Sequence, residues 1–300
     1  MTCPFLCKLA AVLAATVSMI GTSQAEQPPE TVHFRSADGK TILTGYVFAP
    51  AVRRAARVPA VVMMHGRAGP YSLNVKETGP YDATTLSRRH MQWGEIWASL
   101  GYIAVLVDGF GPRGFPGGFG PHSINERPDE VNEVTVRPLD AYGALAWLRS
   151  RADVAPDRIG LQGWSNGGSA TLAAIATDAP GIADHTPAAG FRAGLVFYAG
   201  CGLREKYKSQ GFKPYTSVLE FHGTADEETG FNTCRRLVDK TRAAGGDIEL
   251  VSYDDATHDF DDPGRKRQSV PANQQARTDA IARATSFFEG LLAQGLPPRR

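Results

Sequence analysis

The sequence has no excess of charge of either sign, few cysteines, no internal repeat and no low-complexity tract. Its 300 residues include 32 Lys and Arg against 31 Asp and Glu, which gives a net charge of +1. A chain without a general positive field has no broad attraction for nucleic acid, so nucleic acid is not an expected partner. No Cys, His or Asp spacing typical of a metal site occurs, and no G-x-G-x-x-G is placed for a dinucleotide. We therefore expect no metal and no cofactor.

The N-terminal residues have the layout of a secretory signal peptide. Lys8 precedes an apolar stretch, Leu9–Ile20, and small and polar residues then lead to Ala25. The apolar stretch is shorter than the roughly 20 residues that span a bilayer, which disfavours a membrane anchor. We expect residues 1–25 to be cleaved, leaving residues 26–300 without a stable membrane span in a periplasmic or secreted location.

Cysteine is scarce, with four residues in the chain, and Cys3 and Cys7 lie within the predicted signal peptide. The mature chain would keep Cys201 and Cys234. Two cysteines in an oxidising compartment can form one disulfide bond, and the predicted export favours this pairing. Two buried thiols are the alternative, because spacing in sequence does not fix the distance between Cα atoms.

Short apolar runs and helical patterns alternate along the rest of the chain. This alternation predicts an α/β fold with a mostly parallel central sheet and helices on both faces. The only long irregular stretch is Gly109–Val136, and a loop of this length inside a compact domain is usually functional or disordered. No comparable linker divides the remainder, so we expect a single domain. The predicted strands are Thr31–Arg35, Ile42–Phe48, Pro59–Met64, Tyr102–Val107, Ile159–Trp164, Ala193–Tyr198, Val218–His222 and Ile248–Tyr253, and the predicted helices are 84–100, 137–149, 167–177 and 274–292.

A G-x-S-x-G pattern lies between the fifth predicted strand and the helix that follows it, at residues 163–167. A nucleophile elbow requires this context, because a tight turn from strand to helix pushes the serine hydroxyl outward. The alternative is a glycine-rich turn whose serine only caps the helix. The pattern is weak by itself, but its position and the partners downstream favour Ser165 as a nucleophile.

The partners of such a serine should follow in the order acid, then histidine, each directly after a strand. Asp226 follows the seventh predicted strand, and His258 follows the eighth. Glu227 and Glu228 are alternative acids with a less suitable offset from the strand end. His258 has no competitor, because it is the only histidine after the acid. In this arrangement the histidine would take the serine proton, and the aspartate would hold the imidazole.

A tetrahedral intermediate needs two fixed donors for its oxyanion. The N–H of Asn166, the residue after the nucleophile, is one candidate, and the N–H of Arg67 in the loop after the third strand is the other. The two remaining histidines at strand ends, His65 and His222, are interpreted as structural residues.

Six short motifs coincide with strand ends: His65–Gly69, Asp108–Gly114, Gly163–Gly167, Phe197–Cys201, His222–Asp226 and His258–Phe260. Together they resemble the dienelactone hydrolase family of the α/β-hydrolase fold, and the resemblance extends over nearly all of residues 31–292. It implies a hydrolase without a separate lid domain that acts on ester bonds of small substrates.

The sequence departs from the best-known members of that family, which have cysteine in the elbow and bind the substrate carboxylate with arginines. Here Ser165 occupies the elbow, and Asp259 and Asp261 follow His258, where a second arginine would be useful. Arg113 falls where one arginine is expected, which makes it a candidate substrate-binding residue. A solvated loop arginine is the alternative.

The sequence thus predicts a serine hydrolase of small carboxylic esters or lactones, whose partner is that small-molecule substrate. A peptide, polyester or thioester hydrolase with the same triad is an open alternative, because fold does not fix function. A catalytically inactive binding protein is a second alternative, which the intact serine, aspartate and histidine disfavour. The sequence leaves the oligomeric state open.

Overall fold

A single eight-stranded sheet forms the centre of the molecule. The computed structural model describes Met1 and residues 27–53, 55–209 and 211–292, so the predicted signal peptide lies outside the described residues apart from Met1. The strands are β1 (Glu30–Arg35), β2 (Ile42–Phe48), β3 (Val58–Met64), β4 (Ile103–Asp108), β5 (Val154–Trp164), β6 (Gly194–Phe197), β7 (Val218–Gly223) and β8 (Ile248–Tyr253).

The strand order is β1-β2-β4-β3-β5-β6-β7-β8. β2 pairs antiparallel with both β1 and β4, and every other neighbouring pair is parallel. The predicted mostly parallel sheet of an α/β-hydrolase fold is therefore confirmed. Because β3, β5, β6, β7 and β8 run in one direction, the loops that follow them meet at one edge of the sheet, where ligands bind in open α/β folds.

Six helices and five short 3-10 turns accompany the strands among the residues described above, and the last two helices follow β8. The first helix begins later than predicted, because the Ser87 side chain caps it by accepting the N–H of His90, and residues 83–85 form a separate turn. None of these helices has the length and apolar character that crossing a bilayer requires in the described part of the chain. The helices are α1 (Arg88–Ser99), α2 (Arg137–Ser150), α3 (Asn166–Ala174), α4 (Phe231–Ala243), α5 (Arg265–Gln268) and α6 (Pro271–Leu292), and the 3-10 turns are Leu73–Val75, Ala83–Thr85, Gly111–Arg113, Asp129–Val131 and Leu203–Glu205.

Both faces of the sheet are covered, as the apolar strands predict. On β3, Val62 and Met64 pack into the core shared with α2, α3 and α4, whereas Val61 and Met63 pack into the core shared with α1 and α6. Successive side chains of a strand point to opposite faces, so an uninterrupted apolar run is buried on both sides. The central strands are thereby held rigidly below the loops at their carboxyl ends.

The long segment between β4 and α2, residues 109–136, packs against the loop that follows β3. The N–H of Phe119 donates to the carbonyl of Arg67 at 2.8 Å, and the Arg67 Nη1 donates to the carbonyl of Phe119 at 3.1 Å. Apart from two 3-10 turns the segment is irregular. The packing of the segment against the loop after β3 brings residues of the segment to the same edge of the sheet as the serine elbow.

Candidate active site

The serine elbow joins β5 to α3 in one residue, Ser165. Its backbone has φ 52° and ψ −116°, a region that is strained for a residue with a side chain. A Cβ on Gly163 would lie 2.1 Å from the carbonyl oxygen of Gly167, and a Cβ on Gly167 would lie 2.0 Å from the carbonyl oxygen of Met64. Both positions therefore require glycine, and the close approach fixes the hydroxyl of Ser165 above the sheet edge.

The three residues predicted as a triad are brought together by the loops after β5, β7 and β8. His258 Nε2 lies 3.1 Å from Ser165 Oγ, and His258 Nδ1 lies 2.8 Å from Asp226 Oδ2. With the proton on Nδ1, the imidazole donates to the aspartate and accepts from the serine. This arrangement suits a serine that a base deprotonates during attack.

The carboxylate of Asp226 is held by its own turn. Its Oδ1 accepts the backbone N–H groups of Glu228 and Thr229 at 2.8 and 2.7 Å, and its Oδ2 accepts the Thr229 hydroxyl at 2.9 Å. Burial raises the pKa of this carboxyl, but the hydrogen bond and charge of His258 outweigh burial and hold the pKa below its usual value. Asp226 is therefore ionised at neutral pH.

The two rival acids of the sequence bind elsewhere. Glu227 accepts the backbone N–H of His258 at 2.8 Å and pairs with Arg267 at 2.7 Å. Glu228 pairs with Arg67 through both carboxylate oxygens, at 2.7 and 2.5 Å, and lies 3.8 Å from Nε2 of His258. Neither contacts the Nδ1 side of the imidazole, so Asp226 alone of the three has the geometry of the orienting acid.

His258 is almost completely buried, with 2% of its surface exposed. Burial lowers its pKa, but the hydrogen bond of Asp226 and the charges of Asp259, Asp226 and Glu228 outweigh burial and raise it above the ordinary value. The ring packs 4.6 Å from that of Tyr198, centroid to centroid. A base with a raised pKa and a fixed ring is well placed to hold a transferred proton.

The loop after β3 lies directly against the elbow. A Cβ on Gly66 would lie 3.6 Å from the Cβ of Ser165, so the backbones approach closely. Arg67 and Ser165 line two adjoining cavities, of about 480 Å³ on the His258 side and about 370 Å³ on the Asn166 side. The predicted donors, the N–H groups of Arg67 and Asn166, thus belong to residues that border the serine hydroxyl.

Arg113 does not join this group. Its guanidinium binds both carboxylate oxygens of Asp140 at 2.8 Å, and it also binds Asp38 and the carbonyl of Gly109. It lines neither cavity at Ser165, and its side chain is 7% exposed. This placement does not support the substrate-binding role predicted for Arg113. The alternative of a solvated loop arginine does not fit either, because the side chain is buried. Arg113 forms a buried ion pair between the loop and α2.

Cys201 and Cys234 are joined in a disulfide with a Cα separation of 4.9 Å. The bond ties the segment after β6 to α4, next to the smaller of the two cavities. Among the described residues, these cysteines and the buried Glu220 lie close enough together to share a metal ion. Because the two sulfurs are bonded to each other, this group does not form a metal site in the oxidised protein.

A model of the dienelactone hydrolase family matches residues 86–292, which is more than half of the chain. The chain belongs to the dienelactone hydrolase family. The match includes the elbow and the loops that carry Asp226 and His258, and it confirms the resemblance expected from the motifs at the strand ends.

Solved structures with the same fold include Thermogutta terrifontis esterase 2. Its form phosphorylated by paraoxon is 23% identical, with a TM-score of 0.61, and the match covers 89% of this chain and 96% of that one. Its propionate-bound form is 22% identical, with a TM-score of 0.59 and coverage of 90% and 97%. At this level of identity, the similarity of this family member to the esterase shows a shared fold.

Human dipeptidyl peptidase 8 is also similar, with 26% identity over 277 residues. The match covers 84% of this chain but only 28% of the peptidase. This member of the dienelactone hydrolase family therefore corresponds to a part of that longer protein.

His222, which the sequence analysis interprets as a structural residue, lies beside Asp226. Its Nε2 lies 3.4 Å from Oδ2 of Asp226, and its Nδ1 lies 3.3 Å from Oε1 of Glu220. Burial lowers its pKa, but the hydrogen bond and charge of Glu220 outweigh burial and raise it. The sequence places this histidine at the end of a strand, four residues before the acid. The structure places its Nε2 next to the Asp226 carboxylate.

Proposed function

We propose that this protein is a serine hydrolase that cleaves carboxylic ester or lactone bonds of small substrates. The observation that carries the proposal is the continuous line of hydrogen bonds from Ser165 Oγ to His258 at 3.1 Å and from His258 to Asp226 at 2.8 Å. A serine hydroxyl becomes an effective nucleophile only when a positioned base takes its proton during attack.

In the proposed reaction, Ser165 Oγ attacks the carbonyl carbon of the substrate while His258 Nε2 accepts the hydroxyl proton. The imidazolium then gives this proton to the leaving alkoxide as the bond between the carbonyl carbon and that oxygen breaks, which leaves an acyl-enzyme. Water attacks the acyl carbon in the same way, with His258 again as base, and Ser165 is regenerated. Asp226 keeps the imidazole in the required tautomer and stabilises the imidazolium.

The tetrahedral oxyanion of each step would accept hydrogen bonds from the backbone N–H groups of Arg67 and Asn166. Preorganised donors of this kind are worth about 3–4 kcal/mol of barrier each, because they are aimed where charge develops. Two features support the assignment: Asn166 follows the nucleophile at the start of α3, and Arg67 borders Ser165 in both cavities.

The size of the two cavities supports small substrates. They adjoin at Ser165 and measure about 480 and 370 Å³, near the lower end of the range for small-molecule sites. Peptide hydrolysis is the second candidate function, because the similarity to human dipeptidyl peptidase 8 extends over 84% of this chain.

A panel of substrates tests the proposal. We expect the purified protein to hydrolyse p-nitrophenyl acetate, p-nitrophenyl butyrate and a simple lactone, and to act slowly or not at all on dipeptidyl p-nitroanilides. Initial rates followed at 405 nm, or by pH-stat for the lactone, give kcat/KM for each substrate. Faster cleavage of the anilides than of the esters would establish the peptide hydrolase instead.

We also propose that the protein is exported and that residues 1–25 are removed. The layout of the first 25 residues and the disulfide between Cys201 and Cys234 support this proposal. Intact-mass measurement of the full-length gene product recovered from periplasm or medium is expected to give a chain that begins at Glu26. Recovery of the uncut chain from the cytoplasm would contradict export.

A further inference from the structure

One arginine connects Asn166 to the loop that carries Arg67, and these are the two residues with the predicted oxyanion donors. Arg137, at the start of α2, is fully buried, and its Nη1 donates to the carbonyl of His65 at 2.8 Å and to Oδ1 of Asn166 at 2.6 Å. These acceptors belong to separate elements, the loop after β3 and the first turn of α3. A single nitrogen atom therefore links the loop after β3 to the serine elbow.

One contact acts on the backbone two residues before Arg67, and the other acts on the side chain of Asn166. Because a peptide unit is planar, fixing the carbonyl of His65 also fixes the orientation of the following N–H, which belongs to Gly66 and directly precedes Arg67. In the elbow, the side-chain amide of Asn166 is held through both of its polar atoms, since its Oδ1 accepts from Arg137 and its Nδ2 donates to Oε2 of Glu133 at 3.2 Å. The guanidinium thus constrains the approach of the loop to the elbow.

The surroundings of Arg137 do not resemble those of an ordinary structural ion pair. Its Nε and Nη2 have no hydrogen-bond partner among the described residues, and the guanidinium lies 4.9 Å from the centre of the Phe110 ring. The nearby carboxylate of Asp140 is bound by Arg113 instead. Burial lowers the pKa of Arg137 to about 10, so the side chain remains charged at neutral pH.

A buried cation with incomplete hydrogen bonding destabilises a fold, so its presence calls for a role other than stability. We propose that Arg137 is a positioning residue that holds the N–H groups of Arg67 and Asn166 at the spacing an oxyanion requires. The inference rests on the proposed function, because it concerns the transition state of that reaction. It predicts an effect on the chemical step with little effect on substrate binding.

The test compares Arg137→Met with the wild type on p-nitrophenyl acetate. We expect kcat to fall about 10- to 100-fold while KM changes less than about threefold, because displaced donors weaken stabilisation of the transition state only. The inhibition constant of phenylboronic acid, which forms a tetrahedral adduct on a reactive serine, should rise by a similar factor. Arg137→Lys, which keeps a cation and a donor, should recover part of kcat.

Arg149→Met is the matched control. Arg149 lies on the same helix and binds the backbone carbonyls of Pro156, Ala188, Ala189 and Gly190, away from the elbow. We expect this variant to lose stability in thermal unfolding but to keep kcat and the boronic acid affinity. If both arginine variants lose kcat equally, or if Arg137→Met keeps the wild-type kcat, the positioning role is wrong.

A second variant covers the case in which Arg137→Met does not fold. Asn166→Ala keeps Arg137 and the backbone N–H but removes the Oδ1 acceptor, and we expect a loss of kcat of about tenfold with KM unchanged. Where Arg137→Met does fold, its combination with Asn166→Ala should lose little more than the larger single loss, because both changes remove one shared contact. An Asn166→Ala kcat within twofold of the wild type would overturn the inference. A wild type that hydrolyses no ester would overturn the proposed function, whereas an active wild type whose kcat the variants keep would overturn the inference alone.

Discussion

Replacement of Ser165 by alanine is expected to lower kcat for p-nitrophenyl acetate by about 10⁴- to 10⁶-fold, the loss typical of a nucleophile that acts as a unit with its base. The hydroxyl donates to His258 and makes no other side-chain hydrogen bond among the residues that the structure describes. Alanine keeps the Cβ, so the strained turn should not change. Stopped-flow kinetics with active-site titration measures the expected loss. Thermal unfolding of both proteins shows whether the variant keeps its fold.

Ser169→Ala is the control for this variant. Ser169 lies one turn later on α3, and its hydroxyl donates to the backbone carbonyls of Ser165 and Gly200 without contacting His258. We expect this control to keep kcat within a few fold. A fluorophosphonate should add its mass to the wild type and to Ser169→Ala but not to Ser165→Ala. Equal ester hydrolysis by Ser165→Ala and wild type would show that another group is the nucleophile.

Asp226→Asn is expected to lower kcat by about 10³- to 10⁴-fold, because an amide in this position favours the wrong imidazole tautomer and does not stabilise the imidazolium. Glu227→Gln is the matched control, since it removes one charge from the adjacent residue, whose carboxylate accepts the backbone N–H of His258 and the guanidinium of Arg267. We expect this control to lose less than about fivefold. Comparable losses of kcat in the two variants would make Glu227 a candidate for the catalytic acid again.

The same pair of variants gives a pH dependence with a definite sign. Activity requires neutral His258, and the pKa of this histidine is raised above 6.5, so wild-type kcat/KM should fall as the pH drops through a value above 6.5. Asp226→Asn removes a hydrogen bond and a charge that raise this pKa, so its acid limb should move to lower pH. A limb at unchanged pH would show that Asp226 does not act on His258.

Much of this site follows from residues that are close together in sequence. The elbow is a local turn, and Gly163 and Gly167 mark it because only glycine fits such close backbone contacts. The positions of Asp226 and His258 after successive strands follow from the parallel sheet, whose carboxyl ends meet at one edge. The strands were predictable for a related reason, since buried parallel strands are continuous apolar runs.

Helix α4 is not among the helices predicted from the sequence. It buries only Cys234, Val238 and Thr241, and its other residues are polar or partly exposed, so the apolar repeat that predicts a helix is short. The structure forms it because these few residues, with the disulfide to Cys201, pack against the sheet.

The sequence by itself determined the α/β fold, the family and the candidate nucleophile and base, because the elbow turn and the apolar strands are encoded by contiguous residues. Only the tertiary structure decided what the arginines do. Arg67 meets Glu228 across 161 residues, Arg113 meets Asp140 across 27, and Arg137 meets Asn166 across 29. A long charged side chain can reach many partners, and its choice among them depends on which loops the folded sheet brings together. For that reason Arg113, which a motif places near the substrate, is found in a buried ion pair instead. Arg137, which no motif marks, lies beside the elbow.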